Sequence, residues 1–334
     1  MKHAMMVLLI LGTLAACGQK PAEPPSGSAN KEAATQTSLT AGARRQLDIA
    51  VIPKGLTHQF WLTVKAGAEA AAKEFGVKIV WQGPAKETEV DRQISIVEDM
   101  ISRKVNAIVM AACDENALIG VIKKATDAGI PVVTIDSGVK SDIPVSFVAT
   151  DNIAGAKAAA QALAQLIGKE GKVGLIPFVS GAGTSEMREQ GFKEGIAAFP
   201  NVKLAATLYS QSDAAQAMAV TEDMMTSHPD LKGVFAASEP SVVGAAQAVK
   251  AAGKAGQIKL VGFDASDKEI SDLKDGTIQA LVVQNPFKMG YEGVKAAVDC
   301  LQNKPVEKRI DTGVTVVTME NLNDPEVQKL LYPR

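Results

Sequence analysis

Leu47-Asp48-Ile49-Ala50-Val51-Ile52 is a short apolar run that stands ahead of a helical pattern from about Phe60 to Phe75, and Val77 to Trp81 opens the next apolar run. Short apolar runs alternating with longer 3.6-period patterns predict βαβ units and a parallel sheet. The alternation continues with a helix from Glu89 to Arg103, a strand from Ala107 to Ala112, a helix to Ala128 and a strand from Pro131 to Ile135. Gly76, Gly129 and Gly171 are read as lying just past helix ends, where positive φ suits glycine. A second series begins near Asp151. Its predicted strands are Lys172–Pro177, Val202–Leu208, Gly233–Ala237, Ile258–Phe263 and Ile278–Gln284, with helices over Ser185–Phe199, Ala214–Ser227, Val242–Ala252 and Lys268–Asp275. The reading is α/β, with two Rossmann-like lobes built on parallel sheets and a cleft between them. Ligands of such sheets sit beyond the carboxyl ends of the strands.

Composition narrows the function. Lys and Arg total 35 against 37 Asp and Glu, a net charge of −2, so no basic surplus neutralises a phosphate backbone. Aromatics at 4% cannot supply an extended base-stacking platform. Nucleic acid is excluded as a partner. Three His and three Cys do not make a metal cage, so no metal and no cofactor are expected. Cys113 and Cys300 are read as free core thiols.

The N-terminus reads as an address. Met1-Lys2-His3 is followed by an apolar run from Ala4 to Ala16, shorter than the about 20 residues that span a bilayer. The run ends Leu14-Ala15-Ala16-Cys17-Gly18, which resembles a bacterial lipobox. That resemblance implies a lipoprotein signal peptide at residues 1–16, cleavage before Cys17, and acyl chains on Cys17 that hold the protein on a membrane. An ordinary cleaved signal with an incidental Cys is the competing reading. Gly18 departs from the inner-membrane retention signal, which points to the outer membrane in a Gram-negative host. Residues 17–46 then form the lipidated Cys and a Pro-, Ala- and Ser-rich tether.

Several motifs in order resemble the ribose-type periplasmic sugar-binding family: Pro53-Lys54 with Phe60-Trp61, Ile135-Asp136, Thr150-Asp151-Asn152, Gly183-Thr184-Ser185 with Arg188 and Gly191-Phe192, His228-Pro229-Asp230, Gly262-Phe263-Asp264, and Gln284-Asn285-Pro286. The resemblance runs from about Leu47 to near the C-terminus. It implies a type I periplasmic binding protein fold with chain crossings near Thr150, Gln284 and Thr312. The N-terminal lobe would hold residues 47–150 plus 285–312, and the C-terminal lobe 151–284 plus 313–334. It also implies a monomer in the periplasm or cell envelope that captures a monosaccharide or polyol and delivers it to the permease of an ABC importer.

Binding a sugar calls for flat apolar surfaces and a ring of directional polar partners. Phe60 and Trp61 match the family's stacking aromatics; a helix-start pair packed on the core is the alternative. Asp136 and Asp264 each end an apolar strand, one per lobe, where a carboxylate can accept two hydroxyls; a turn or N-cap Asp is the bland alternative. Arg188 matches a clamping arginine rather than a solvated helix charge, and Gln284 a hydroxyl-binding amide rather than an exposed edge residue. The chain departs from the ribose pattern at Ala111, Ser137, Ser212, Ser238 and His58, which puts ribose itself in doubt. Ser137, Ser238 and His58 remain ligand candidates. Lys54 resembles a ligand-reaching lysine of rhamnose-type and furanose-signal binders, against an equally weighted exposed loop lysine. Glu239 either replaces a lost partner or faces outward.

No Walker loop, nucleophile elbow or dinucleotide fingerprint occurs. Four function classes compete. A transport receptor leads. A receptor module for a membrane sensor or chemoreceptor shares every feature read above. A transcription regulator fails, because the lipobox and tether occupy the place of a DNA-binding segment. A carbohydrate-acting enzyme ranks lowest, Asp136 and Asp264 suiting hydroxyl acceptors better than an acid/base pair.

Overall fold

A computed structural model describes residues 46–331 of the chain. The proposed signal peptide, Cys17 and most of the tether lie outside the described residues.

The first sheet forms from β1 (Asp48–Ile52), β2 (Lys78–Trp81), β3 (Ala107–Met110), β4 (Val132–Ile135) and β5 (Ser146–Ala149), interleaved with α1 (Gln59–Phe75), α2 (Val90–Ser102) and α3 (Ile119–Asp127). The chain then enters α4 (Asn152–Leu166) and a second series: β6 (Gly171–Ile176), α5 (Gly183–Ile196), β7 (Val202–Thr207), α6 (Ala214–Ser227), β8 (Leu231–Ala236), α7 (Glu239–Ala251), β9 (Lys259–Phe263), α8 (Asp267–Lys274) and β10 (Ala280–Val283). It returns through α9 (Pro286–Leu301) and β11 (Arg309–Asp311), then crosses again to β12 (Thr315–Val317) and α10 (Pro325–Leu331). The strand orders are β11-β5-β4-β3-β1-β2 and β12-β10-β9-β8-β6-β7, the same doubly wound order twice. Among the described strands only β12 runs antiparallel to its neighbour.

The central strands are buried on both faces and accordingly read as continuous apolar runs, Ala107-Ile108-Val109-Met110 and Leu260-Val261-Gly262-Phe263 among them. Each sheet carries an apolar cluster on either face. The chain passes between sheets at 150–151, 284–285 and 312–314, where Thr150 Oγ1 lies 3.3 Å from Thr312 Oγ1. Helix α9 seats on α1 through small residues: a Cβ on Gly67 would lie 2.0 Å from the Phe287 carbonyl oxygen, and one on Gly290 1.9 Å from that of Val64. Glycine here is a packing requirement rather than a turn.

Some expectations need correction. Gly76, Gly129 and Gly171 all have positive φ, but Gly171 opens β6 and does not follow a helix end, and Gly168 (φ 75°) turns the chain out of α4. Cys113 is buried, whereas Cys300 on α9 is only half-buried, so it is not a core thiol. Strands β5, β11 and β12 were not anticipated as strands. Among the described residues no helix is long and apolar enough to cross a membrane, and no cluster of metal-ligating side chains occurs.

Candidate ligand-binding site

The cleft lies at the carboxyl ends of both sheets and holds a pocket lined by side chains of both lobes, with only about 30 Å³ of free interior volume. Asp136 and Asp264 hold equivalent places. Each follows the last residue of a strand (β4, β9), each donates its amide to the adjacent strand (Val148 and Val282 carbonyls, both 2.9 Å), and each has positive φ, 53° and 87°. A left-handed conformation on a non-glycine residue is uncommon; Asp tolerates it better than most. At a cleft it turns each carboxylate inward.

On the first lobe, Lys54 emerges just past β1 and is 2% exposed, which removes the surface-lysine reading. Its ammonium is 3.1 Å from Asp136 Oδ2 and 3.9 Å from Glu87 Oε2, and it donates to Ser137 Oγ at 2.9 Å and across the cleft to Thr184 Oγ1 at 3.1 Å. Burial alone would lower its pKa, but Asp136 and Glu87 outweigh that and hold it above its ordinary value. Ser137 is fully buried between Lys54, Thr184 and Asp136, and does not line the cavity. The structure therefore places Ser137 behind Lys54 and not on the cavity wall.

Phe60 and Trp61 begin α1 and meet edge-to-face, with centroids 4.9 Å apart. Both line the cavity, though Trp61 is only 1% exposed, and its indole donates to Glu87 Oε1 at 2.9 Å. Glu87 also has His58 Nδ1 3.7 Å away and accepts from Ser212 of the second lobe at 2.8 Å. Burial pushes the Glu87 carboxyl upward, yet Lys54, His58 and the indole override it and hold it far below the carboxylate range. Burial likewise opposes charge on His58, and Glu87 overcomes it to raise the imidazole above 6.5.

On the second lobe, Arg188 from α5 lies with its guanidinium carbon 3.7 Å from the Phe263 ring centroid. Its Nε donates to Asn152 at 2.7 Å and Nη1 to the Ala237 carbonyl at 2.8 Å. Two of its five N–H donors are used by these bonds. Burial draws its pKa down against the opposing pull of Asp264, Asp136 and Glu87. Asp264 accepts from Gln284 Nε2 at 2.6 Å and from the Glu239 amide at 3.0 Å; burial raises its pKa against Arg188 and those donors. Gln284 is 2% exposed, so it is not an edge amide facing water, and its Oε1 has no protein partner. Ser238 lines the cavity and joins a hydroxyl chain through Ser241 to Ser210, at 2.9 and 2.8 Å. Glu239 does not face outward: its carboxylate accepts from the Gln59 and Phe60 backbone amides at 3.1 and 2.9 Å.

The structure thus brings nine of the ten anticipated residues to the cavity: Lys54, His58, Phe60, Trp61, Asp136, Arg188, Ser238, Asp264 and Gln284. Sequence reasoning missed Glu87, Phe178 and Thr184 as wall residues. Phe178 follows β6 by two positions, so systematic inspection of strand ends would have found it. Glu87, within Ala85-Lys86-Glu87-Thr88, carries no such signal.

Comparison with known proteins matches the fold. The sequence model of the periplasmic binding protein domain family covers residues 49–305, and the chain belongs to that family. It is 36% identical over 285 residues to the D-ribose/D-allose-binding protein of Pseudomonas aeruginosa, covering 83% of this chain and 89% of that one. It is similar to an ABC transporter solute-binding protein of Agrobacterium vitis solved with D-fucose, at 42% identity and a TM-score of 0.83, over 85% of this chain and 100% of that one. A carbohydrate transporter solute-binding protein of Agrobacterium radiobacter in complex with D-arabinose gives 35% identity and a TM-score of 0.84, over 87% and 100%. The two-lobed α/β fold is that of the type I periplasmic binding proteins.

Proposed function

We propose that this protein is an extracytoplasmic receptor that captures a neutral monosaccharide or related polyol between its lobes and delivers it to an ABC importer. Its relatives are solute-binding proteins of sugar transport, and it binds rather than converts its ligand. The observation that carries the reading is the buried Gln284 Oε1, an acceptor with no protein partner on a wall shared with Asp264. A ligand hydroxyl supplies the missing donor, where an unmet buried acceptor would cost about 1–3 kcal/mol. Asp136 and Asp264 accept further hydroxyls, the remaining Arg188 N–H groups donate, and Phe60, Trp61 and Phe178 cover the apolar face of a ring. Four carboxylates, Glu87, Asp136, Glu239 and Asp264, face two fixed cations, Lys54 and Arg188, around this cavity. That balance disfavours anionic sugars.

Residues 47–334 should be screened against D-ribose, D-allose, D-fucose, D-arabinose, D-tagatose, deoxysugars and polyols by thermal unfolding and Trp fluorescence. A ligand at 100 times its Kd adds about 2.7 kcal/mol to the folded state. Stabilisation by a neutral sugar without its chemical change is the expected outcome; turnover, or stabilisation by sugar acids alone, overturns it. Anchoring through acylated Cys17 is part of the same reading. Cys17→Ala in the full chain should move the protein from the membrane fraction to the soluble one, and continued membrane retention of that variant argues against the anchor.

A further inference from the structure

Helix α1 carries both aromatic residues of the site, yet its N-terminus is uncapped from within its own lobe. His58, the N-cap residue, makes no side-chain cap bond, and the first turn holds no acidic residue. The orphaned amides of a first turn need an acceptor, and a carboxylate there also meets the positive end of the helix dipole. Here the acceptor comes from the opposite lobe. Glu239 Oε1 and Oε2 accept from the Gln59 and Phe60 amides at 3.1 and 2.9 Å, while the Glu239 amide donates to Asp264 at 3.0 Å. One residue therefore connects a candidate hydroxyl acceptor on the second lobe with the helix that presents Phe60 and Trp61 on the first. The arrangement is reciprocal: Gln59 Oε1 accepts from the Asp267 amide at 3.0 Å, in the first turn of α8.

We propose that Glu239 is a positioning residue for sugar capture, the N-cap of α1 supplied across the cleft, which fixes the aromatic wall over the ligand only when the lobes are closed. The proposal rests on the sugar-capture reading for its benefit to binding but not for the cap itself. When the lobes part, α1 loses its cap and Glu239 returns to water. Closure is then coupled to completion of α1, and release of ligand requires breaking both amide bonds. A residue acting this way slows dissociation of every ligand by a similar factor, because it touches the helix rather than the sugar. A direct sugar contact would instead discriminate among sugars.

The test uses residues 47–334, as wild type and as Glu239→Ala and Glu239→Gln. Backbone hydrogen exchange at Gln59 and Phe60 is measured without sugar and with each of D-ribose, D-allose, D-fucose and D-arabinose, and stopped-flow Trp fluorescence gives the dissociation rates. The Ala variant should lose protection at these two amides and release every bound sugar about 3- to 30-fold faster, the range an N-cap carries. The Gln variant, which keeps an acceptor oxygen, should recover part of both effects. The ligand-free unfolding midpoint should stay close to wild type. Unchanged protection at Gln59 and Phe60 in Glu239→Ala overturns the cap. Faster release confined to one sugar overturns the positioning role in favour of direct contact. If wild type binds no sugar, the functional reading fails; the cap itself is overturned if wild type binds sugar yet gains no protection at the Gln59 and Phe60 amides on binding.

Discussion

The Trp61 indole nitrogen lies 2.9 Å from Glu87 Oε1, and the same carboxylate receives Lys54, His58 and, from the other lobe, Ser212. One buried anion thus orders an aromatic ring, two basic side chains and a contact between lobes. Removing one member of a buried ion pair leaves an uncompensated charge, which costs about 3–5 kcal/mol. Glu87→Ala should lower stability by about that amount, whereas Glu87→Gln, which keeps an acceptor for the indole, should cost less. Urea unfolding of both variants checks this, and an equal loss in the two would refute the contribution assigned to the indole hydrogen bond.

His58 reports on the same anion. Its pKa is raised, so its contribution to stability is fully present below the unfolded value of 6.5 and is lost as pH rises through the folded one. A histidine titration by NMR should therefore give His58 a midpoint above 6.5 that falls back in Glu87→Gln. The stability gap between wild type and Glu87→Gln should also narrow as pH increases through that window. A His58 midpoint at or below 6.5 would contradict the arrangement.

Glu269 is shifted in the same direction, but its protonated form is neutral. It is fully buried on α8, its Oε1 has no partner, and burial raises its pKa well above 4.5, with Asp264 and Glu239 adding to the effect. A carboxyl with a raised folded pKa takes up a proton on folding, so its contribution is fully present below 4.5 and is lost as pH rises from there through the higher folded value. Glu269→Gln should stabilise the protein at neutral pH and have little effect in acid. Melting curves across pH decide it; a destabilised variant at neutral pH sinks the prediction.

Arg188 stacks on Phe263 at 3.7 Å while its N–H groups reach two residues behind it. Lysine cannot reproduce a planar fork or that stacking. Arg188→Lys should weaken binding of the best sugar by about 10- to 100-fold, the size of a charged hydrogen bond. Titration calorimetry measures it, and unchanged affinity would remove Arg188 from the site.

Gly290 tests the packing of α9 on α1. A Cβ 1.9 Å from the Val64 carbonyl forces the helices apart. Gly290→Ala should cost at least the about 1–3 kcal/mol of an overpacked core. Gly76→Ala, where a Cβ meets nothing within 4 Å, should cost only its left-handed backbone strain, about 1 kcal/mol. Comparable unfolding midpoints for the two variants would discount the close helix contact.

Much of this fold is visible in one dimension because parallel strands buried on both faces are written as continuous apolar runs between helical patterns. The strands that escaped notice are short ones at or next to sheet edges. Arg309-Ile310-Asp311 has a single apolar residue and becomes a strand only because β5 offers it partners. At the site, Gln284 was legible through the family resemblance, and Asp136 and Asp264 from their place at strand ends. Ser137 shares that place, yet the turn directs it under Lys54 instead of toward the cavity. Glu87 was invisible because its burial is a property of its partners: nothing in a loop of Ala, Lys, Glu and Thr announces that Lys54 and Trp61 will close over it.

Both sheets depend on the same late stretch of chain. The first lacks its edge strand β11 and its covering helix α9 until Asp311 has appeared, and the second lacks β12 until a few residues later. Neither lobe can therefore finish folding on its own as the polypeptide emerges N-terminus first. The early segments stay incomplete until nearly the whole chain is available, and contacts of such long sequence separation form slowly. Were the proposed signal at residues 1–16 to send the chain across a membrane unfolded, that delay would keep it in a form a translocation channel can accept.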